Sequence, residues 1–111
     1  NLKENKSPIV NGDGKQLRDF IHVDDVAKAN LFAMECKIKN GFFNIGSGQA
    51  VSILELAKIM INISGLDLKP VFGSLPNGDV KLSQADTTLS SKLLGLESSI
   101  NLENGLKQLF D

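Results

Sequence analysis

The sequence predicts an α/β chain in which short strands alternate with helices. Three observations carry that prediction. Compact apolar runs such as Phe42-Phe43-Asn44-Ile45 are bounded by Gly and Asn and are too short for helices. Two longer stretches, opening near Asp24 and at Ser52, repeat apolar residues at helical spacing. The two kinds of segment take turns along the chain, without internal repeats. At 111 residues, with 41% hydrophobic and 23% charged residues, the composition is that of one globular region spanning 1–111.

Taken in order, Asn1 to Lys6 is polar and reads as a frayed end. Pro8-Ile9-Val10 reads as a strand, stopped by the turn Asn11-Gly12-Asp13-Gly14. Leu17 to Val23 is extended and rich in β-formers. Asp24-Asp25 supplies an N-cap and favourable charge for a helix to Cys36 or Lys37, with an inward stripe of Val26, Ala27, Asn30, Ala33 and Met34. Asn40-Gly41 ends it, and Phe42 to Ile45 reads as a buried strand. After Gly46-Ser47-Gly48, the capping box Ser52-x-x-Glu55 opens a helix. Ile53, Leu56, Ala57, Met60 and Ile63 share its apolar face, and Gly65 closes it. Lys69 to Phe72 reads as a strand, Gly73 to Asp79 as a loop and Val80 to Ala85 as extended. Two short helices finish the chain, Thr88 to Leu94 ended by Gly95, and Leu102 to Phe110 capped by Asn101.

Composition excludes several kinds of function. Twelve Lys and Arg against 13 Asp and Glu leave a net charge of −1, without the basic excess that nucleic acid or an anionic membrane surface requires. No apolar run reaches the ~18 residues of a membrane span. A single cysteine, Cys36, has no partner for an intramolecular disulfide, which points to a reducing, cytoplasmic setting. One His and one Cys rule out ordinary Cys/His zinc sites, so no metal is expected. With no tyrosine, the chain cannot supply a tyrosine proton donor. Gly46-Ser47-Gly48 lacks the third glycine of a dinucleotide fingerprint, that place being Val51, and is expected to be an ordinary turn. Gly14-Lys15-Gln16 likewise lacks the features of a phosphate loop.

The single arginine is the strongest lead. Where every other cation is lysine, Arg18 stands where a planar fork suits phosphate oxygens, or else pairs with a neighbouring carboxylate. Strand alternation sets Arg18, Phe20 and His22 on one face, an arrangement suited to a phosphate beside a stacked base or sugar. His22 reads as a structural, hydrogen-bonded histidine ahead of a catalyst. Asp79, after Pro76-Asn77-Gly78, either accepts hydrogen bonds from sugar hydroxyls or forms the turn.

The ordered motifs GDGKQLRDFIHVDDVAKA, FFNIGSG, SILELA and GDV followed by AD and LLG resemble the C-terminal part of NAD-dependent epimerases and dehydratases. These are extended short-chain dehydrogenases that act on nucleotide sugars, and the likeness is greatest to the UDP-glucose 4-epimerase group. The resemblance runs from Pro8 to the final helix. It implies the substrate-binding C-terminal portion of an extended short-chain dehydrogenase fold, without the NAD-binding N-terminal half. It also implies a parent that uses NAD, an isomerase or else a dehydratase or decarboxylase on the same kind of substrate, with a nucleotide-diphosphate sugar as partner, and a homodimer. The chain by itself, lacking the family's Y-x-x-x-K and glycine-rich loop, should be inactive, bind no cofactor and self-associate. Carried over by position, Arg18 matches the arginine on the diphosphate, Phe20 the aromatic near the nucleoside, and Asp79 the aspartate of a P-R-x-G-D loop that binds ribose hydroxyls. The arginine of that loop is Pro76 here, and Lys81 nearby is a point charge that does not reproduce a fork. Leu96 replaces a common tryptophan, a matter of packing alone.

Overall fold

The computed structural model describes residues 1–110. Its strands are β1 (Ile9–Asn11), β2 (Leu17–Asp19), β3 (Ala50–Ser52), β4 (Val71–Gly73) and β5 (Leu82–Ser83). Its α-helices are α1 (Val23–Glu35), α2 (Ile53–Ser64), α3 (Thr88–Leu94) and α4 (Leu102–Lys107). The mixed α/β class is therefore as the sequence predicts. The strands form two small sheets. β1 and β4 pair in parallel, while β2 lies between antiparallel β3 and parallel β5.

Helix α2 is the organising element. Its apolar face buries Ala57 and Ile61, and the segment before β2 completes its N-terminus. The first N–H groups of an α-helix lack intrahelical partners. Here Ile53 N donates to Gln16 O at 3.1 Å, Leu54 N to Gly14 O at 2.9 Å, and Glu55 N to Ser52 Oγ at 3.1 Å. Gly14 is required for this approach. It sits at φ 70°, and a Cβ there would stand 2.7 Å from Val10 Cγ1 and 2.9 Å from Leu54 Cβ. Gly65 and Gly95 end α2 and α3 in the left-handed conformation, and Asn101 Oδ1 caps α4 by accepting from Asn104 N at 2.8 Å.

Four expectations are corrected. The N-terminal residues are not frayed: Leu2–Glu4 form a 3₁₀ turn whose Leu2 is buried and which packs on α2. Phe42 to Ile45 forms no strand and is not buried. No described strand lies alongside to take up its backbone groups, and Phe42 is 98% exposed. Helix α1 is capped by His22, whose Nδ1 accepts from Asp24 N at 3.2 Å, and not by Asp24-Asp25. Its inward side is Asp25 and Ala29, while Ala27, Asn30, Ala33 and Met34 face outward. The reason is electrostatic, since Asp25 is drawn inward by donors from residues 98–100 (below).

The resulting body is a slab of 50 × 34 × 16 Å with a radius of gyration of 16.5 Å. A compact chain of this length would have ~13 Å. Few side chains are fully enclosed, among them Val10, Asp25 and Ser90, while Leu96 and Leu106 are buried at the edge of that core. Leu96 thus packs inside.

Candidate functional site

Strand β2 carries two charged residues, Arg18 and Asp19. Arg18, half-way along β2, does not project freely. Its Nη2 donates to Asp79 Oδ1 at 2.5 Å, and Nη1 donates to Val80 O at 2.6 Å and Leu17 O at 2.8 Å. Both side chains are about three-quarters buried, at 26% and 23% exposure. The structure therefore joins two of the three predicted site residues across 61 positions of sequence. It also shows the carboxylate pairing weighed against a phosphate role for Arg18. Asp79 is held by the turn that Pro76 opens, with Asp79 N donating to Pro76 O at 3.4 Å.

Asp79 also lines a cleft of about 370 Å³ with Asp13, Lys15, Gln16, Leu75 and Lys81. Lys15 and Lys81 thus stand on the same cleft as Asp79, although Pro76 supplies no guanidinium. Phe20 is not brought to this cleft. β2 ends at Asp19, so the alternation assumed through His22 does not hold beyond it. Phe20 instead lines a hollow of about 180 Å³ with Gln49, Val51 and the Ser98–Leu102 segment. It also edges an apolar hollow of about 290 Å³ with Val23, Leu106 and Leu109. His22 is structural, as expected: it caps α1, and Gly105 lies against its ring.

Two carboxylates that sequence reasoning did not single out hold the site together. Asp19 Oδ1 accepts from Ser47 N at 2.8 Å and Ser47 Oγ at 2.5 Å, and Oδ2 accepts from Gly48 N at 3.0 Å and Ala85 N at 3.2 Å. Burial alone would favour its protonated form, yet these four donors hold its carboxyl below the usual range. Asp25, 2% exposed, accepts from Ser99 Oγ at 2.6 Å, Ser99 N at 3.0 Å, Ile100 N at 3.1 Å and Ser98 Oγ at 3.2 Å. Burial again opposes ionisation and is outweighed by these donors, which hold Asp25 well below the usual carboxylate range. The available signal was the aspartate beside the only arginine and the doubled Asp24-Asp25.

The Gly46-Ser47-Gly48 turn is the one segment with the look of a dinucleotide loop. Its Ser47 and Gly48 N–H groups donate to Asp19, so those donors are spent on the protein's own carboxylate. The turn does not fit a dinucleotide phosphate. Among the described residues there is no cluster of His, Cys, Asp and Glu that could hold a metal ion. No helix of the described residues is long and apolar enough to cross a membrane.

Comparison with known proteins agrees with the fold. Residues 1–46 match the NAD dependent epimerase/dehydratase family. The crystal structure of a UDP-glucose 4-epimerase of Thermotoga maritima with UDP-glucose superposes with a TM-score of 0.90 at 40% identity, over 96% of this chain and 34% of that one. A UDP-glucuronic acid 4-epimerase of Bacillus cereus, solved with UDP-glucuronic acid and NAD, gives 0.87 at 31% identity, over 96% and 34%. GDP-L-fucose synthase 1 of Arabidopsis thaliana is 36% identical over 104 residues, which are 93% of this chain and 32% of that protein. The chain spans about a third of the length of the relatives it matches. Residues 1–46 thus carry the sequence signature of the NAD-dependent epimerase/dehydratase family, and the chain has the fold of the matching third of a UDP-glucose 4-epimerase.

Proposed function

We propose that the chain is the nucleotide-sugar-binding region of an NAD-dependent 4-epimerase acting on a UDP-hexose of the UDP-glucose kind, with residues 1–111 a single substrate-binding unit. The observation that carries this reading is the meeting of Arg18 and Asp79, at 2.5 Å, beside a cleft lined by Lys15 and Lys81. Arg18 is the fork for the diphosphate, Asp79 the acceptor for ribose hydroxyls, and Phe20 the aromatic beside the nucleoside. NAD and the tyrosine base belong to residues of the parent protein outside this chain, and the chemistry NAD supplies when bound is reversible hydride transfer at the sugar carbon. The role of these residues is to grip the nucleotide handle, so that binding energy remote from the reacting carbon positions the sugar. The parent is read as a cytoplasmic homodimer.

Pro76, in place of a second arginine, favours one other reading, a module that binds a nucleotide sugar without catalysis. A coding sequence upstream that lacked both a glycine-rich dinucleotide loop and Y-x-x-x-K would select it. The site itself is tested by titrating UDP-glucose into the chain in a calorimeter. A Kd of about a millimolar or tighter, roughly −4 kcal/mol, supports the autonomous module, whereas no detectable binding fits a region severed from its parent. Binding that Arg18→Ala leaves unchanged overturns the assignment.

A further inference from the structure

Strand β5 meets β2 in parallel, with Leu17 opposite Leu82 and Arg18 opposite Ser83. It is two residues long and both of its side chains are exposed, so burial does not choose its register against β2. The register nevertheless decides the site. It sets Asp79 Oδ1 and Val80 O against the Arg18 guanidinium at 2.5 and 2.6 Å, with Leu17 N donating to Lys81 O at 2.8 Å. A slip of one residue would bring Gly78 or Val80 to the place of Asp79, and the guanidinium would lose its carboxylate.

The other end of the same segment is fastened to the residue after Arg18. Ala85 N donates to Asp19 Oδ2 at 3.2 Å, and Asp19 also accepts from Ser47 N, Ser47 Oγ and Gly48 N. Gln84 Nε2 adds a bond of 2.6 Å to Gly48 O, on the turn that Asp19 holds. Two adjacent residues of β2 thus grip residues 79–85 at both ends. We propose that Asp19 is a positioning residue for nucleotide-sugar binding: by tying Ala85 to the 46–48 turn it fixes the register of β5 and so seats Asp79 on Arg18. The inference rests on the nucleotide-sugar reading above for its consequence, and on geometry alone for its mechanism. Asp19 touches no ligand in it and acts through Arg18. A carboxylate suits this task because its two oxygens accept from both segments at once, which a single hydroxyl in its place cannot do.

The test reads Arg18 directly. It is the only arginine, so its side-chain ¹⁵N resonances are unambiguous. Three acceptors hold Nη1 and Nη2 in the native chain, which slows rotation of the guanidinium and should give the two nitrogens separate signals. Asp19→Ser should merge those signals. Where UDP binds the native chain, the same variant should bind it about tenfold more weakly, the worth of one charge-assisted hydrogen bond. Gly65→Ala strains the C-terminal end of α2, at φ 69°, and is the control for general loss of stability; it should leave the signals apart. Should Asp19→Ser fail to fold, Gly46→Ala serves, because its methyl presses on both Ala85 Cβ and Asp19 Oδ2 and should merge the signals as well. Separate Nη signals in the folded variant overturn the positioning, whether or not UDP binds. UDP that moves the native Arg18 signals yet binds Asp19→Ser equally well overturns it too. UDP that binds the native chain without moving any Arg18 signal overturns the site reading instead and leaves the positioning standing.

Discussion

Asp25, in the first turn of α1, accepts a hydrogen bond from Ile100 N at 3.1 Å across 75 positions of sequence. With Ser98 and Ser99 it fastens the segment ahead of α4 to α1, and Lys28 adds a bond of 2.7 Å to Ser99 Oγ. A buried carboxylate facing four donors is poorly replaced by an amide, which brings its own N–H groups against N–H groups. Asp25→Asn should cost about 2–4 kcal/mol, seen as a fall in urea midpoint at unchanged m-value. An effect below about 0.5 kcal/mol would show that the 98–100 segment does not depend on this residue.

The same carboxylates make the fold acid-sensitive. Asp19 and Asp25 are both held below the ordinary value of 3.8. As pH falls through that value the unfolded chain takes up protons that the folded chain resists, so unfolding is favoured. The stabilisation is complete above the ordinary carboxylate range and declines as pH falls from about 5 toward the lower folded values. Urea midpoints measured from pH 6 to 3 should drop steeply at the acid end. Asp25→Asn should flatten that drop, and parallel curves for the two proteins would remove Asp25 from the account.

Gly46 is required for contact and not for its backbone angle. A Cβ there would lie 2.5 Å from Ala85 Cβ and 2.7 Å from Asp19 Oδ2. Gly46→Ala should destabilise by about 1–3 kcal/mol, the range for overpacking. Combining it with Ala85→Gly should recover part of the loss, because one of the two clashes is removed. A thermal melt in which the double variant is no better than the single would place the strain at Asp19 alone.

Much of this arrangement was legible locally. Ser52, Asn101, Gly65 and Gly95 mark helix ends because capping depends on a few adjacent residues. Periodicity failed for α1 because it assumes that the apolar side turns inward, whereas here the donors at 98–100 bury an aspartate. It failed for Phe42 to Ile45 because a strand is defined by its neighbour. Arg18 and Asp79 could each be picked out by residue type and motif, but nothing in a linear pattern pairs residues 61 apart.

The outward face of α1 and the segment after it leave a large apolar surface. Val23, Leu31 and Met34 are 71%, 58% and 81% exposed, and Phe42 is almost wholly so. Exposed apolar side chains of this size favour association. The chain alone should sediment as oligomers whose proportion rises with concentration. Met34→Lys with Phe42→Ser should shift it toward monomer without lowering the melting temperature. A native chain that sediments as a monomer at high concentration would refute this.

Arg18→Lys separates the observed bonds of the arginine from its proposed part in binding a diphosphate. Lysine keeps the charge, but one ammonium cannot hold Val80 O, Leu17 O and Asp79 in the planar geometry of Nη1 and Nη2 and still present a fork. Some stability should therefore be lost, about 1 kcal/mol, since carbonyls at this partly exposed site can turn to water. The larger effect is expected on the ligand. Replacing a fork by a point charge at a diphosphate should cost about 1–2 kcal/mol, with charge-assisted hydrogen bonds worth about 1.5–3 each. On the proposed reading of the parent as a nucleotide-sugar epimerase, this loss belongs in kcat/KM for the nucleotide sugar, with NAD binding undisturbed. No arginine stands at position 76 to share the load, so Pro76→Arg in the same background should restore part of it. A fall in Tm with kcat/KM unchanged would leave Arg18 as a structural partner of Asp79 and nothing more.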